Sequence, residues 1–269
     1  MLLTRFFTAL LLLTVTAVII LLDNIFITKS FILLIHLLVL WEWLTLLKNN
    51  FFLKFLPVSI FFLFAISVRD NFQFNLFVDS IIFFASFFWV FFVPVIIYRR
   101  KNLNPNFSSP LALTLVLSSY FSFNFALERG LIFLFSILFI VWVADSSAYF
   151  AGRFFGKTKL APNISPKKTW EGVIGALIST FFLSIFFLYF EIGWFDSIST
   201  KYNHFVVLLL VTVTIFISVV GDLYQSLIKR EAKVKDSGFL LPGHGGFFDR
   251  FDAMLAVCPF LVSSVKIMQ

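Results

Sequence analysis

The sequence predicts an all-α polytopic integral membrane protein with about nine transmembrane helices and a cytoplasmic N-terminus, and three observations predict it. The 269 residues are 60% apolar and only 13% charged, against about 45–50% and about 25% in a soluble domain. Apolar runs close to the roughly 20 residues that a spanning helix needs recur along the whole chain. The basic residues then fall mostly into alternate gaps between those runs. Together these leave no surplus for a large soluble domain, and they exclude a disordered chain, a fibrous repeat or a nucleic-acid-binding domain. The single cysteine, Cys258, excludes an internal disulfide framework, and no Cys/His set has zinc spacing. Phenylalanine supplies 42 residues, which reads as bulky lipid-facing composition.

The spans read in order as 6–22, 25–47, 51–68, 80–98, 110–127, 131–150, 171–190, 203–220 and 253–267. The first follows Arg5 and resembles a signal peptide. No small-residue cleavage site follows and further spans come at once, so it reads as an uncleaved first span. Only Asp23 and Asn24 separate it from the second, a tight helical hairpin. The last is interrupted by Pro259. With the N-terminus inside, the inside segments hold Arg5, Lys48, Lys54, Arg99, Arg100, Lys101, Arg153, Lys157, Lys159, Lys167, Lys168, Lys229, Arg230, Lys233, Lys235 and Arg250. Those are 16 of the 21 basic residues, leaving Lys29, Arg69, Arg129, Lys201 and Lys266 outside. The split follows the positive-inside rule, supports the span count and puts the C-terminus outside. The formal charge of +7 then reads as orientation and as affinity for anionic lipid or phosphate.

The two halves differ. None of the 11 glycines precedes Gly130. Residues 1–129 read as a transmembrane scaffold of apolar helices. Residues 130–269 read as the catalytic transmembrane region, with cytoplasmic loops 151–170 and 221–252, because close backbone approach to a ligand needs glycine. No internal repeat suggests an inverted-repeat transporter. His36, Trp41 and Glu42, in the second run, read as interfacial anchors or packing hydrogen bonds.

The segment 221–252, GDLYQSLIKREAKVKDSGFLLPGHGGFFDRFD, holds 10 of the 35 charged residues and five glycines. Carboxylates that hold a hard cation stand beside lysines, arginines and backbone N–H groups that hold phosphate oxygens, which suits a metal–phosphate site. If the eighth span continues past Gly221, then Asp222, Ser226, Lys229 and Arg230 share one helical face. Asp249 and Asp252 share a face at the start of the last span. PGHGG between them cannot be helical and lets backbone approach a ligand. Upstream, in AGRFFGKTKLAPNISPKKTWEG, Ser165-Pro166 reads as N-cap and N1 of the seventh helix, with Lys167 and Lys168 in its first turn. Free N–H groups and two lysines there make a phosphate site. Asp145, in VWVADSSAYF, is an ionisable residue inside a span and a functional candidate on that ground.

These residues resemble the phosphatidate cytidylyltransferase (CDP-diacylglycerol synthase) family. The family's C-terminal pattern is filled by Ser226, Ile228, Lys229, Arg230, Lys235, Asp236, Gly238, Leu241, Pro242, His244, Gly245, Gly246, Asp249, Arg250 and Asp252, without a departure across 27 residues. The upstream ADSSAYFAGRFFGKTKLAPNISPKKTWEG looks like the family too, so the resemblance covers roughly 130–269. It implies transfer of CMP from CTP to phosphatidic acid, giving CDP-diacylglycerol and pyrophosphate. It implies Mg²⁺ held by Asp222 and Asp249, and a second cation such as K⁺. It also implies a bacterial inner membrane, an active site at the cytoplasmic face and no nucleic acid partner; a homodimer is compatible with it.

The roles expected on that basis follow. Asp222 and Asp249 ligate the metal. Lys167, Lys168, Lys229, Arg230 and Lys235 hold phosphate oxygens. His244, Gly245 and Gly246 shape the turn or contact phosphate, with Ser165, Ser226 and Arg250 beside them. Asp145, Asp236 and Asp252 support the metal or add ligands. Another CTP-dependent lipid enzyme, of the polyprenol kinase or CDP-archaeol synthase type, overlaps in reactants, and the completeness of the 226–252 match argues against it. A transporter would need ionisable residues and broken helices near the bilayer midplane, whereas these charges crowd one surface.

Overall fold

The computed structural model describes residues 2–47, 51–68, 76–100 and 105–268. Its helices are α1 (Leu2–Leu21), α2 (Ile25–Leu46), α3 (Phe51–Ser67), α4 (Leu76–Phe87), α5 (Val93–Arg99), α6 (Pro105–Glu128), α7 (Leu131–Phe155), α8 (Trp170–Tyr189), α9 (Gly193–Ser199), α10 (His204–Glu231) and α11 (Phe248–Met268). The only strands among the described residues are β1 (Lys159–Ala161) and β2 (Ser165–Thr169). Among the described residues, seven helices are long and apolar enough to cross a membrane: α2, α4 with α5, α6, α7, α8, α10 and α11. Phe6–Leu21 and Leu53–Ser67, the remaining two expected spans, are shorter apolar helices. Lys48, Lys101 and Arg69, counted in the charge split, lie outside the described residues.

Local chemistry sets the helix ends. Asn24 caps α2 by accepting from the Phe26 and Ile27 amides, which makes the tight α1–α2 hairpin. α4 and α5 form one continuous helix through a π turn, Phe88–Phe92. Pro94 has no N–H for an α-helical bond, and the ladder widens just before it, with the Val93 amide bonding the Phe88 carbonyl. Pro259 lies within α11 without ending it.

The most buried helices are α6 and α11. The inward face of α6 carries Ser118, Ser119, Ser122 and Asn124, all buried. Small hydroxyl residues let neighbouring helices approach, and they return their hydrogen bonds to their own helix, as Ser122 does to Ser118. Large exposed phenylalanines, Phe62, Phe91, Phe154 and Phe182 among them, stud the outer surface, as the lipid-facing reading expects. His36 is fully buried, its Nδ1 on the Ile32 carbonyl and its Nε2 facing the Ser119 hydroxyl. It is the packing hydrogen bond expected of it.

Candidate active site

Two interhelical contacts build the site. α7 packs along α8, and α10 packs along α11. At the second contact Gly221 is the close-approach point: a Cβ there would stand 2.7 Å from the Asp252 carbonyl. That proximity sets Asp222 of α10 beside Asp252 of α11. α10 does continue past Gly221, to Glu231, and α11 begins at Phe248. The loop proper is therefore 232–247, shorter than the 221–252 expected, because helical backbone claims both ends.

The second loop is a correction. Ser165–Thr169 is strand β2, paired antiparallel with β1 (Lys159 opposite Thr169, Ala161 opposite Ser165), and α8 starts at Trp170. The cap is Thr169, whose hydroxyl accepts from the Gly172 amide. Lys167 and Lys168 therefore precede the helix rather than forming its first turn. Ser165-Pro166 has the composition of a helix start, but Pro tolerates an edge strand and tertiary ties hold the hairpin extended. The Glu171 carboxylate accepts from the Thr158 amide, Arg230 Nε donates to the Ile164 carbonyl, and the Arg100 guanidinium meets the Asn163 side-chain amide, whose oxygen faces it once the amide is turned over.

Between α7, the hairpin, α8, α10 and the start of α11 lies a cavity of about 640 Å³. Its polar wall holds eight of the expected residues: Asp145, Ser165, Lys167, Lys168, Asp222, Asp249, Arg250 and Asp252. Its apolar wall includes Ala144, Val173, Ala176, Ile215 and Val219. Lys168 Nζ stands 2.6 Å from Asp222 Oδ2. Asp145 and Asp252 both feel the charges of Asp222 and Lys168, so three carboxylates face one contacting ammonium. Ser218 of α10 lines the same wall as Asp145.

Asp249 is differently placed. Its Oδ1 accepts from Lys229 Nζ at 2.7 Å and from Gln225 Nε2 at 3.0 Å. Its Oδ2 accepts from the Ser237 and Gly246 amides at 2.8 and 3.0 Å, and the Ser237 hydroxyl oxygen lies 3.0 Å from it. Asp249 is thus held by α10 and the loop, whereas Asp222 is held by Lys168 and Ser226 and lines the cavity with Asp145 and Asp252.

The other expected residues stand off the cavity wall. Lys229 spends its ammonium on Asp249, and Arg230 ties the hairpin to α10 and bonds the Val234 carbonyl. Ser226 donates to Asp222 Oδ1 at 3.4 Å. Lys235 and Asp236 are exposed on the loop. His244 Nδ1 lies 2.7 Å from the Thr8 hydroxyl of α1, and Arg250 Nη2 donates to the His244 carbonyl. Gly245 carries a positive φ of 83° in the turn closed by the Leu241–Gly245 bridge. Residues on the wall that the sequence reading left out are Tyr149, Arg153, Lys159 and Ser218. Arg153 and Lys159 were visible only as basic loop residues.

The family model described as the cytidylyltransferase family matches residues 3–268. The chain belongs to the cytidylyltransferase family. Among its relatives, the phosphatidate cytidylyltransferase of Haemophilus influenzae is 48% identical over 132 residues, 49% of this chain and 45% of that protein. Those of Bacillus subtilis and Pseudomonas aeruginosa are 42% identical over 137 residues and 41% over 133. These alignments cover 50% and 49% of this chain, and 47% and 46% of the respective relatives. The matched part therefore spans about half the length of these curated cytidylyltransferases.

Proposed function

We propose that the protein transfers CMP from CTP to phosphatidic acid, giving CDP-diacylglycerol and pyrophosphate, at the surface of the bilayer it spans. The observation that carries the reading is the cavity itself, where clustered carboxylates, lysines and arginines face an apolar wall at one end of the bundle. The names of the relatives support it. In this reading the cavity end faces the cytoplasm of a bacterial cell, because its loops carry most of the basic residues and CTP is a cytosolic solute.

A phosphate oxygen of phosphatidic acid bonds to the α-phosphorus of CTP. The bond from that phosphorus to the oxygen bridging the β-phosphorus breaks, and its electron pair leaves with pyrophosphate. No side-chain nucleophile is needed. Both reactants are anions, so the protein's task is to bring them together and align them. Lys159, Lys167, Lys168, Arg153 and Arg250 are available to bind and orient phosphate oxygens. The apolar wall suits the diacylglycerol part.

The residues fit a Mg²⁺ ion. Asp222, with Asp145 and Asp252 beside it, offers hard oxygen donors with excess negative charge. Mg²⁺ is usually held by one or two carboxylates plus substrate phosphates rather than by a full protein cage. When bound, the ion would screen the triphosphate charge and polarise the bond that breaks. Lys168 holds the Asp222 carboxylate until then, and Asp249 fixes the loop.

The test is an assay of the purified protein in micelles containing phosphatidic acid, with CTP, with and without Mg²⁺. CDP-diacylglycerol and pyrophosphate should form in equal amounts and only with the metal. No lipid product under either condition would overturn the reading.

A further inference from the structure

Glu42 belongs to α2, in the half of the chain read as scaffold, yet its carboxylate meets the 232–247 loop. It is buried, and its Oε2 accepts from the Ser237 hydroxyl at 2.8 Å and from the Phe248 amide at 2.9 Å. The Phe248 amide is one of the unpaired donors at the start of α11, so Glu42 caps that helix from another one. Its Oε1 is buried without a hydrogen-bond partner and faces Gly238, where a Cβ would stand 2.5 Å away. At Gly246 a Cβ would collide with the same carboxylate and with the Ser237 hydroxyl. Two glycines of the family pattern thus make room for Glu42.

Packing alone does not call for a carboxylate here. Trp43, the next residue, already stacks on Phe248 with ring centroids 4.8 Å apart. Burying a carboxylate is costly, and an apolar replacement often serves stability as well. What Glu42 adds is a connection. The Ser237 hydroxyl that reaches it also lies 3.0 Å from Asp249 Oδ2, and the Ser237 amide donates to that same oxygen. Glu42, Ser237 and Asp249 form a chain from α2 to the cavity wall.

We infer that Glu42 is a positioning residue: it holds Ser237 and the start of α11 so that Asp249 stays fixed and Asp252 faces Asp222. The kinetic part of this inference rests on the proposed cytidylyl transfer; the structural part does not. The test pairs amide hydrogen exchange with steady-state kinetics on the full chain in detergent. Glu42→Ala should speed exchange across 237–249 about tenfold and leave α6 unchanged. It should lower kcat about tenfold while KM for CTP stays within about threefold. Glu42→Gln, which keeps an acceptor oxygen, should bring both within about threefold of wild type. Unchanged exchange at 237–249 in Glu42→Ala, wild-type kcat despite faster exchange, or Glu42→Gln behaving like Glu42→Ala would overturn the inference. Should Glu42→Ala fail to fold, Ser237→Ala cuts the same chain at its middle and is held to the same two outcomes. A wild-type protein without transfer activity would reject the reaction, and the exchange result alone would then decide the role of Glu42.

Discussion

Lysine–carboxylate contacts occur at both ends of the helix bundle, and the two ends are built differently. Away from the cavity, Lys29 of α2 pairs with Glu128 of α6, and Lys266 of α11 pairs with Asp79 of α4. Each pair ties two helices together, and the Lys266 ammonium also sits over the Phe125 ring. At the cavity end, Lys229 pairs with Asp249, and Lys168 pairs with Asp222, which Ser226 also contacts, while Asp145 and Asp252 stand close by. Matched pairs in low dielectric act as staples. Three carboxylates crowded near one contacting ammonium are eased by further positive charge, which a metal ion and the other cations of the same wall are suited to supply. The same residue types thus give structure at one end and, in the proposed function, chemistry at the other.

Substitutions can break this contrast, and the largest effect is expected at Asp222. Asp222→Asn should lower CTP-dependent turnover by about 100-fold or more, with the melting temperature in detergent held or raised because a repulsive charge is lost. Near-normal turnover would mean that the crowded carboxylates are not the catalytic feature. Lys168→Met should lower turnover about tenfold, with the loss spread over kcat and the KM for CTP, since this lysine touches both Asp222 and the space for phosphate. The smallest effect on chemistry is expected at the far end. Lys266→Met should lower the melting temperature by several degrees while turnover per folded molecule stays within about twofold. A tenfold loss of turnover there would erase the distinction between the ends.

The sequence made the class and half of the site legible for specific reasons. Apolar length marks a span regardless of its neighbours, so the long helices could be read directly. The 3.6-residue period put Asp222, Ser226 and Lys229 on one face before α10 was seen to run to Glu231. What could not be read depended on contacts far apart in sequence. Ser165-Pro166 looks like a helix start, and only the pairing with β1 and the ties from Arg100, Arg230 and Glu171 keep it extended. Lys229 and Arg230 have the right chemistry for phosphate, and their ties to Asp249 and the Ile164 carbonyl were not readable from the spacing. Glu42 looks like one polar residue in an apolar run, because its partners lie 195 and 206 residues away.

The most direct test of the central claim, that this cavity joins a nucleotide to a lipid phosphate, is a comparison of two labelled substrates. The wild-type protein is given phosphatidic acid micelles, Mg²⁺ and CTP labelled at either the α- or the γ-phosphorus. The account predicts that α-label enters the lipid fraction as CDP-diacylglycerol and that γ-label leaves entirely in pyrophosphate. Lipid labelled from the γ-position would make the protein a kinase and contradict the account, and so would α-label that never reaches the lipid.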